Sequence, residues 1–285
     1  MINLQLEIQL LATLVAVTCS LSGVFLVLRG MAMMSDAISH TILLGIVLGF
    51  FLVKDLSSPV LIIGAALMGV VTVYLVEKIY ETGLVREDVA IGLVFPFLFS
   101  IGIILISRYA GNVHLDIDAV ILGEIAFAPL NRLQLLGIDL GPKAIYVMGV
   151  ILFFNICYLS LFYKELKLVT FDPQLAFVLG FSPTIIHYSM MTMVSVTAVG
   201  AFDAVGSILV VALMVGPPNI AYLLVNDLKL LIVLSSGVGI GSSIVGYWLA
   251  YLFDVSIGGS IAAVIGLIFF ITFLFTELST RKLRS

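Results

Sequence analysis

The sequence predicts an all-α membrane protein, a polytopic helix bundle of about eight or nine transmembrane helices, on three observations. Hydrophobic residues make up 62% of the 285 residues and charged ones only 11%, with a mean hydropathy of +1.26, far from the composition of a water-soluble domain. Apolar runs recur from Ile8 to Glu277, each near the roughly 20 residues that a hydrocarbon core about 30 Å thick requires. No Gly/Ser-rich linker, low-complexity tract or short-period repeat divides them, so residues 1–285 are expected to form a single transmembrane domain.

In chain order the runs fall at about 8–28, 33–53, 58–77, 89–107, 144–162, 184–203, 205–225, 230–252 and 257–276, with an apolar re-entrant or partial segment near 119–128. The first has no basic region before it, since Glu7 is the only charge before Arg29. It is therefore expected to be a retained helix and not a cleaved secretory signal. Pro96, Pro217 and Pro218 fall within or at the ends of runs, where neighbouring helices or water must satisfy the freed carbonyls. The stretch 108–143 is expected to be an extracytoplasmic or re-entrant segment, and 163–183 a cytoplasmic loop. With the N-terminus outside, the inner loops carry Arg29, Lys78, Arg86, Lys164, Lys167, Lys229, Arg281, Lys282 and Arg284, against Lys54, Arg108, Arg132 and Lys143 outside. That asymmetry favours this orientation and says more than the net charge of −4. Cys19 and Cys157 lie inside apolar runs and read as small hydrophobes, not a disulfide or thiolate site.

Charges inside the spans are rare, and the exception is Asp36 with His40, four residues apart and hence on one helical face. His40 lies about 15 Å along the helix from Arg29 at about 1.5 Å per residue, near the bilayer midplane. A carboxylate and an imidazole at that depth must be paired or face a polar cavity. Carboxylate oxygen with imidazole nitrogen suits Mn(II), Fe(II) or Zn(II). One helix offers only two ligands, and a twofold dimer would bring two Asp and two His together. From the spacing alone, a self-satisfied pair within the bundle stands equally open.

His114, Asp116 and Asp118 alternate with apolar residues and precede Glu124, so an extended strand could present a cation-collecting side at the outer mouth. A solvated acidic loop is the competing reading. His187 and Asp203 begin and end one span, where satisfied or interface-reaching roles explain them better than ligation. The inner loop carries a good helix N-cap in Asp172, Pro173 at the first helical position and Gly180 as a C-terminal stop. A short amphipathic helix there is either a connector or a piece that docks into a partner's groove.

The chain has no Gly-x-x-x-x-Gly-Lys-Ser/Thr phosphate loop, no His-Glu-x-x-His helix and no Gly-x-Ser-x-Gly elbow. An enzyme acting alone is therefore not expected, nor any bound cofactor. The scattered Lys and Arg residues make no nucleic-acid patch.

The run from Leu28 through Arg29, Gly30, Met31, Ala32, Met33, Met34, Ser35, Asp36, Ala37, Ile38 and Ser39 to His40 resembles the signature of the permeases of manganese, zinc and iron ATP-binding-cassette importers. The similarity continues through Phe171-Asp172-Pro173 with Ala176 and Gly180, His187-Tyr188, and Val205 to Leu213 with Pro217 and Ala221. The resemblance implies a dimeric permease fold related to the vitamin B12 and siderophore importers, in a bacterial cell membrane. It also implies cytoplasmic ATP-binding subunits, an extracytoplasmic metal-binding lipoprotein and alternating access. Asp36 and His40 would match the pore ligands, and Asp172, Pro173, Ala176 and Gly180 the coupling helix. His114 to Glu124 resembles the branch in which two different permeases occur together, which leaves homodimer and heterodimer both open. Bulky Met33, Met34 and Ile38 around the pair suggest a path for a bare ion and not for a corrinoid or siderophore.

Two readings from other classes remain at this point. An ATP-independent secondary metal or proton-coupled transporter would use Asp36 and His40 as a relay. A non-transporting assembly subunit would use the same residues only to bind other subunits.

Overall fold

The computed structural model describes residues 2–55, 58–109, 125–135 and 138–284. Eleven helices and one hairpin follow in order among them: α1 (Ile2–Leu28), α2 (Ala32–Val53), α3 (Pro59–Tyr80), α4 (Glu87–Tyr109), β1 (Arg132–Leu135), β2 (Ile138–Pro142), α5 (Lys143–Leu161), α6 (Tyr163–Phe171), α7 (Pro173–Val178), α8 (Pro183–Val205), α9 (Ser207–Leu224), α10 (Leu228–Phe253) and α11 (Ile257–Arg284). Nine of these are long and apolar enough to cross a membrane, matching the expected spans in number and order. The bundle is therefore that of a multi-pass membrane protein.

α1 forms the centre of the bundle, with Leu11, Val15, Ala16, Cys19 and Val24 fully buried and α5, α8, α9 and α10 packed around it. Small residues let the backbones approach, as bilayer helices require when hydrophobic burial does not drive them together. A Cβ on Gly23 would lie 1.8 Å from the Met214 carbonyl oxygen, the same carbonyl that Pro218, four residues on, deprives of its helical donor. α2 and α3 meet at Gly45 and Gly64, where a Cβ on either would fall within 2.7 Å of the other's backbone. These two helices pack as one unit.

The helices run alternately up and down, which gives the bundle two ends. At the hairpin end, β1 and β2 pair antiparallel, and Arg132 donates to Asp139 Oδ2 at 2.6 Å and to both Glu7 carboxylate oxygens at 3.2 Å. At the opposite end, here called the α7 end, lie the turn Arg29–Met31, α6, α7 and the start of α8.

The structure departs from the expectations in detail. The segment 163–183 is not a loop with one helix. α6 precedes α7, because Leu166 and Val169 turn a buried stripe inward that a reading fixed on membrane-length runs passes over. The fold is the expected helical bundle, with one short β-hairpin in part of 108–143. Met34 and Ile38 are completely buried in the bundle, so of the three bulky residues only Met33, 59% exposed, stands on an open face. The supposed re-entrant segment near 119–128 lies outside the described residues up to 124, and Ala128–Leu130 form one turn of 3₁₀ helix. Gly206, at φ 80°, separates α8 from α9, so Val205 ends the earlier helix instead of opening the later one.

Candidate metal site

α2 is held on one side and open on the other. On the held side, Gly45 and Gly49 abut α3, and Thr72 donates to Thr41 Oγ1 at 2.8 Å. Ser35 and Ser39 are buried and satisfied within the helix, donating to Ala32 O and Ser35 O. On the open side stand Met33, Asp36 and His40, spaced three and four residues apart along one stripe.

His40 Nε2 lies 3.5 Å from Asp36 Oδ1, and the two side chains are 31% and 34% exposed. The imidazole stacks on Phe95 of α4 at 5.6 Å and meets the edge of Phe99 at 5.7 Å. Aromatic walls therefore orient the ring, while the Asp36 carboxylate faces outward with free coordination capacity. A half-exposed carboxylate and imidazole about 6 to 12 Å into a helix that crosses the bilayer cannot face lipid without a large cost. Something polar must cover them. Among the described residues no group of three or more His, Cys, Asp or Glu converges on a metal site, and Asp36 with His40 is a pair of ligand-type side chains on one open helix face.

One turn from Asp36 toward the α7 end, Met33 joins Gly30, Tyr80, Arg86, Glu87 and Ile91 around a cavity of about 360 Å³. The open face of α2 is thus continuous with a polar recess at that end.

The α7 segment adopts the geometry that Asp172, Pro173 and Gly180 foretell. Asp172 accepts from Leu175 N at 2.9 Å, and Pro173 sits at the first helical position. Gly180, at φ 89°, closes the helix while Phe181 N donates to Ala176 O at 3.0 Å. Ala176 is fully buried against the rest of the protein, whereas Phe177 and Val178 are 72% and 79% exposed. His114, Asp116, Asp118 and Glu124 lie outside the described residues.

His187 lies in a polar cluster that sequence reasoning missed. Arg29 Nη1 is 2.6 Å from His187 Nδ1, and His187 Nε2 contacts Glu77 Oε1. Tyr188 also hydrogen-bonds Glu77, and Arg29 Nε donates to Thr170 Oγ1 at 3.4 Å. Burial pulls the Arg29 guanidinium below its ordinary value, opposed by the nearby Tyr158 and Glu77. Arg29 is separated from His187 by 158 residues, so no local spacing could reveal the cluster. The only signal was that charges sit at the ends of three spans that meet. Asp203 lies at the other end of α8.

The profile of the ABC 3 transport family matches residues 1–276. The chain is 50% identical over 271 residues to the zinc transport system membrane protein TroD of Treponema pallidum, covering 95% of this chain and 74% of that one. It is 46% identical over 275 residues to the manganese transport system membrane protein MntD of Bacillus subtilis, covering 95% and 93%. Among solved structures, PsaBC from Streptococcus pneumoniae in complex with Fab superposes with a TM-score of 0.77 at 30% identity, over 94% of this chain and 90% of that one. A metal-chelate type ABC transporter in an inward-facing conformation superposes with a TM-score of 0.68 at 16% identity, over 96% and 85%, a likeness of fold alone.

Proposed function

We propose a function from the premise that this chain belongs to the ABC 3 transport family: it is the membrane permease of an ATP-driven importer of Mn(II) or Zn(II). In this reading the chain is the transport subunit in a bacterial cell membrane and not the enzyme of the system, and ATP is bound by partner subunits. Fe(II), with similar ligand preferences, is a chemically equivalent cargo.

The observation that carries the proposal is the open Asp36–His40 pair on α2. A second permease copy, identical or related, placed against that open face would bring two carboxylates and two imidazoles together, enough for a four-coordinate ion. It would also cover the polar pair that lipid cannot. The ion would arrive from an extracytoplasmic metal-binding lipoprotein, with His114, Asp116, Asp118 and Glu124 as an entry stage. It would leave through the recess beside Met33 and Glu87. The α7 end would face the cytoplasm, where Asp172, Pro173, Ala176 and Gly180 frame a coupling helix whose exposed Phe177 and Val178 seat in an ATP-binding subunit. Closing of the ATPase pair would then swing the half-sites from one side of the membrane to the other.

The test is ATP-dependent uptake of Mn(II) and Zn(II) into proteoliposomes containing the permease, its ATP-binding subunits and the binding protein. Uptake that requires ATP and disappears with Asp36→Ala or His40→Ala, in complexes that still assemble, supports the reading. Uptake without the ATP-binding subunits favours a secondary transporter. Normal uptake by both variants removes the pair from the path.

A further inference from the structure

The cluster at the α7 end connects two regions that transport must couple. Arg29 belongs to the turn between α1 and α2, three residues before α2 begins and seven before Asp36. Its side chain reaches Thr170 on α6, which continues through Asp172 into α7. It also reaches His187 on α8, which in turn contacts Glu77 on α3. Since α3 is locked to α2 through Gly45 and Gly64, the cluster holds the α2–α3 unit at two points: at the turn and on α3.

The chemistry of the contacts is directional. Arginine can only donate, so His187 Nδ1 accepts from Arg29 and the ring carries its proton on Nε2, the nitrogen in contact with the Glu77 carboxylate. A cation, a neutral relay and an anion thus form one chain, with charge-assisted contacts at both ends. The chain is not saturated. Among the described residues, Arg29 Nη2, His187 Nε2 and Glu87 Oε1 are buried without a hydrogen bond, the approach of His187 Nε2 to Glu77 being a close charge contact. Glu87 begins α4, and protonation of His187 would favour its carboxylate. A buried donor and a buried acceptor of opposite charge, both unused beside this chain, are what a cluster with a second arrangement would leave over.

We propose that Arg29, His187 and Glu77 form a coupling latch that transmits displacement of the α6–α7 segment to the α2–α3 unit carrying Asp36 and His40, with Glu87 as the alternative partner after displacement. The three act as positioning residues: none touches the ion. The latch rests on the permease reading above.

The experiment compares wild type, Asp36→Ala, His187→Leu and His187→Gln in the assembled transporter, measuring Mn(II) uptake, ATP hydrolysis and equilibrium Mn(II) binding in the same preparations. His187→Leu is expected to lose uptake at least about tenfold while hydrolysis and Mn(II) affinity stay within about twofold of wild type, the range of a coupling free energy and not of a lost site. His187→Gln, whose amide oxygen can accept from Arg29 while its NH₂ donates to Glu77, is expected to recover at least about a third of the uptake. Should His187→Leu fail to assemble, Thr170→Val and Glu77→Gln carry the same comparison, with a raised ratio of ATP hydrolysed to Mn(II) imported as the expected result. Uptake unchanged by the latch variants, or reduced only in step with Mn(II) affinity or assembled protein, overturns the latch. Uptake that survives Asp36→Ala overturns the permease-site reading itself, whatever His187 does.

Discussion

Two polar groups inside the bundle look alike in composition and differ in construction. Ser22 of α1, Asn155 of α5 and Thr197 of α8 are buried and close on one another: Asn155 Nδ2 donates to Thr197 Oγ1 at 2.8 Å, Ser22 and Thr197 hydroxyls lie 3.2 Å apart, and Ser22 Oγ reaches Asn155 Oδ1 at 3.4 Å. Asp36 and His40 are ionisable, half-exposed and joined only at 3.5 Å. The first group spends its hydrogen bonds on holding three helices together, as intramembrane polar residues commonly do. The second keeps its ligand atoms on an open face.

The comparison can be broken by substitution. Asp36→Ala or His40→Ala is expected to lower uptake per assembled complex by more than about 100-fold, beyond what loss of a supporting residue alone causes, with thermal stability nearly unchanged. Gly45→Ala should affect both properties, because its methyl would meet the Gly64 carbonyl oxygen at 2.5 Å. Overpacking of that kind costs about 1 to 3 kcal/mol and shifts the helix that carries the site, so a lower melting temperature should accompany reduced uptake. Asn155→Leu should do the reverse of Asp36→Ala: about 1 kcal/mol less stability, read by denaturation in detergent, with uptake per folded complex unchanged.

The smallest effect is expected at the hairpin end. The Arg132 guanidinium, with help from the Gly141 N–H, holds the Asp139 carboxyl below its ordinary value. A carboxyl lowered in the folded state stabilises it above the unfolded value near 3.8, and that contribution is lost as the pH falls through the lower folded value. Hairpin amide protection should therefore decline on acidification below about pH 4 in the wild type and show less pH dependence in Asp139→Asn. Both side chains are exposed, so the effect on whole-protein stability should be slight.

Much of this was legible in the residues, and the limits are physical. Spans follow from hydrophobic runs of bilayer length, and the α7 helix from Asp172, Pro173 and Gly180, because both signals are local. The open face of α2 was half-legible. Spacing put Asp36 and His40 together and already pointed Met34 and Ile38, two residues away, to the other side of the helix, but only the packing of α2 on α3 determines which side is open. The hairpin and α6 were hidden because short amphipathic or extended elements carry weak signals beside long apolar runs. Arg29 counted as a loop charge and as part of the Leu28–His40 run, and Glu77 not at all, since their meeting with His187 depends on which helix ends become neighbours.

The most direct measurement of the central claim is pulsed EPR on Mn(II) bound to the assembled permease, which detects directly coordinated imidazole nitrogen. A pore-ligand role for the Asp36–His40 pair predicts a nitrogen coupling in the wild type that disappears in His40→Ala and persists in His187→Leu. A coupling that survives His40→Ala, or that vanishes with His187→Leu, would contradict it.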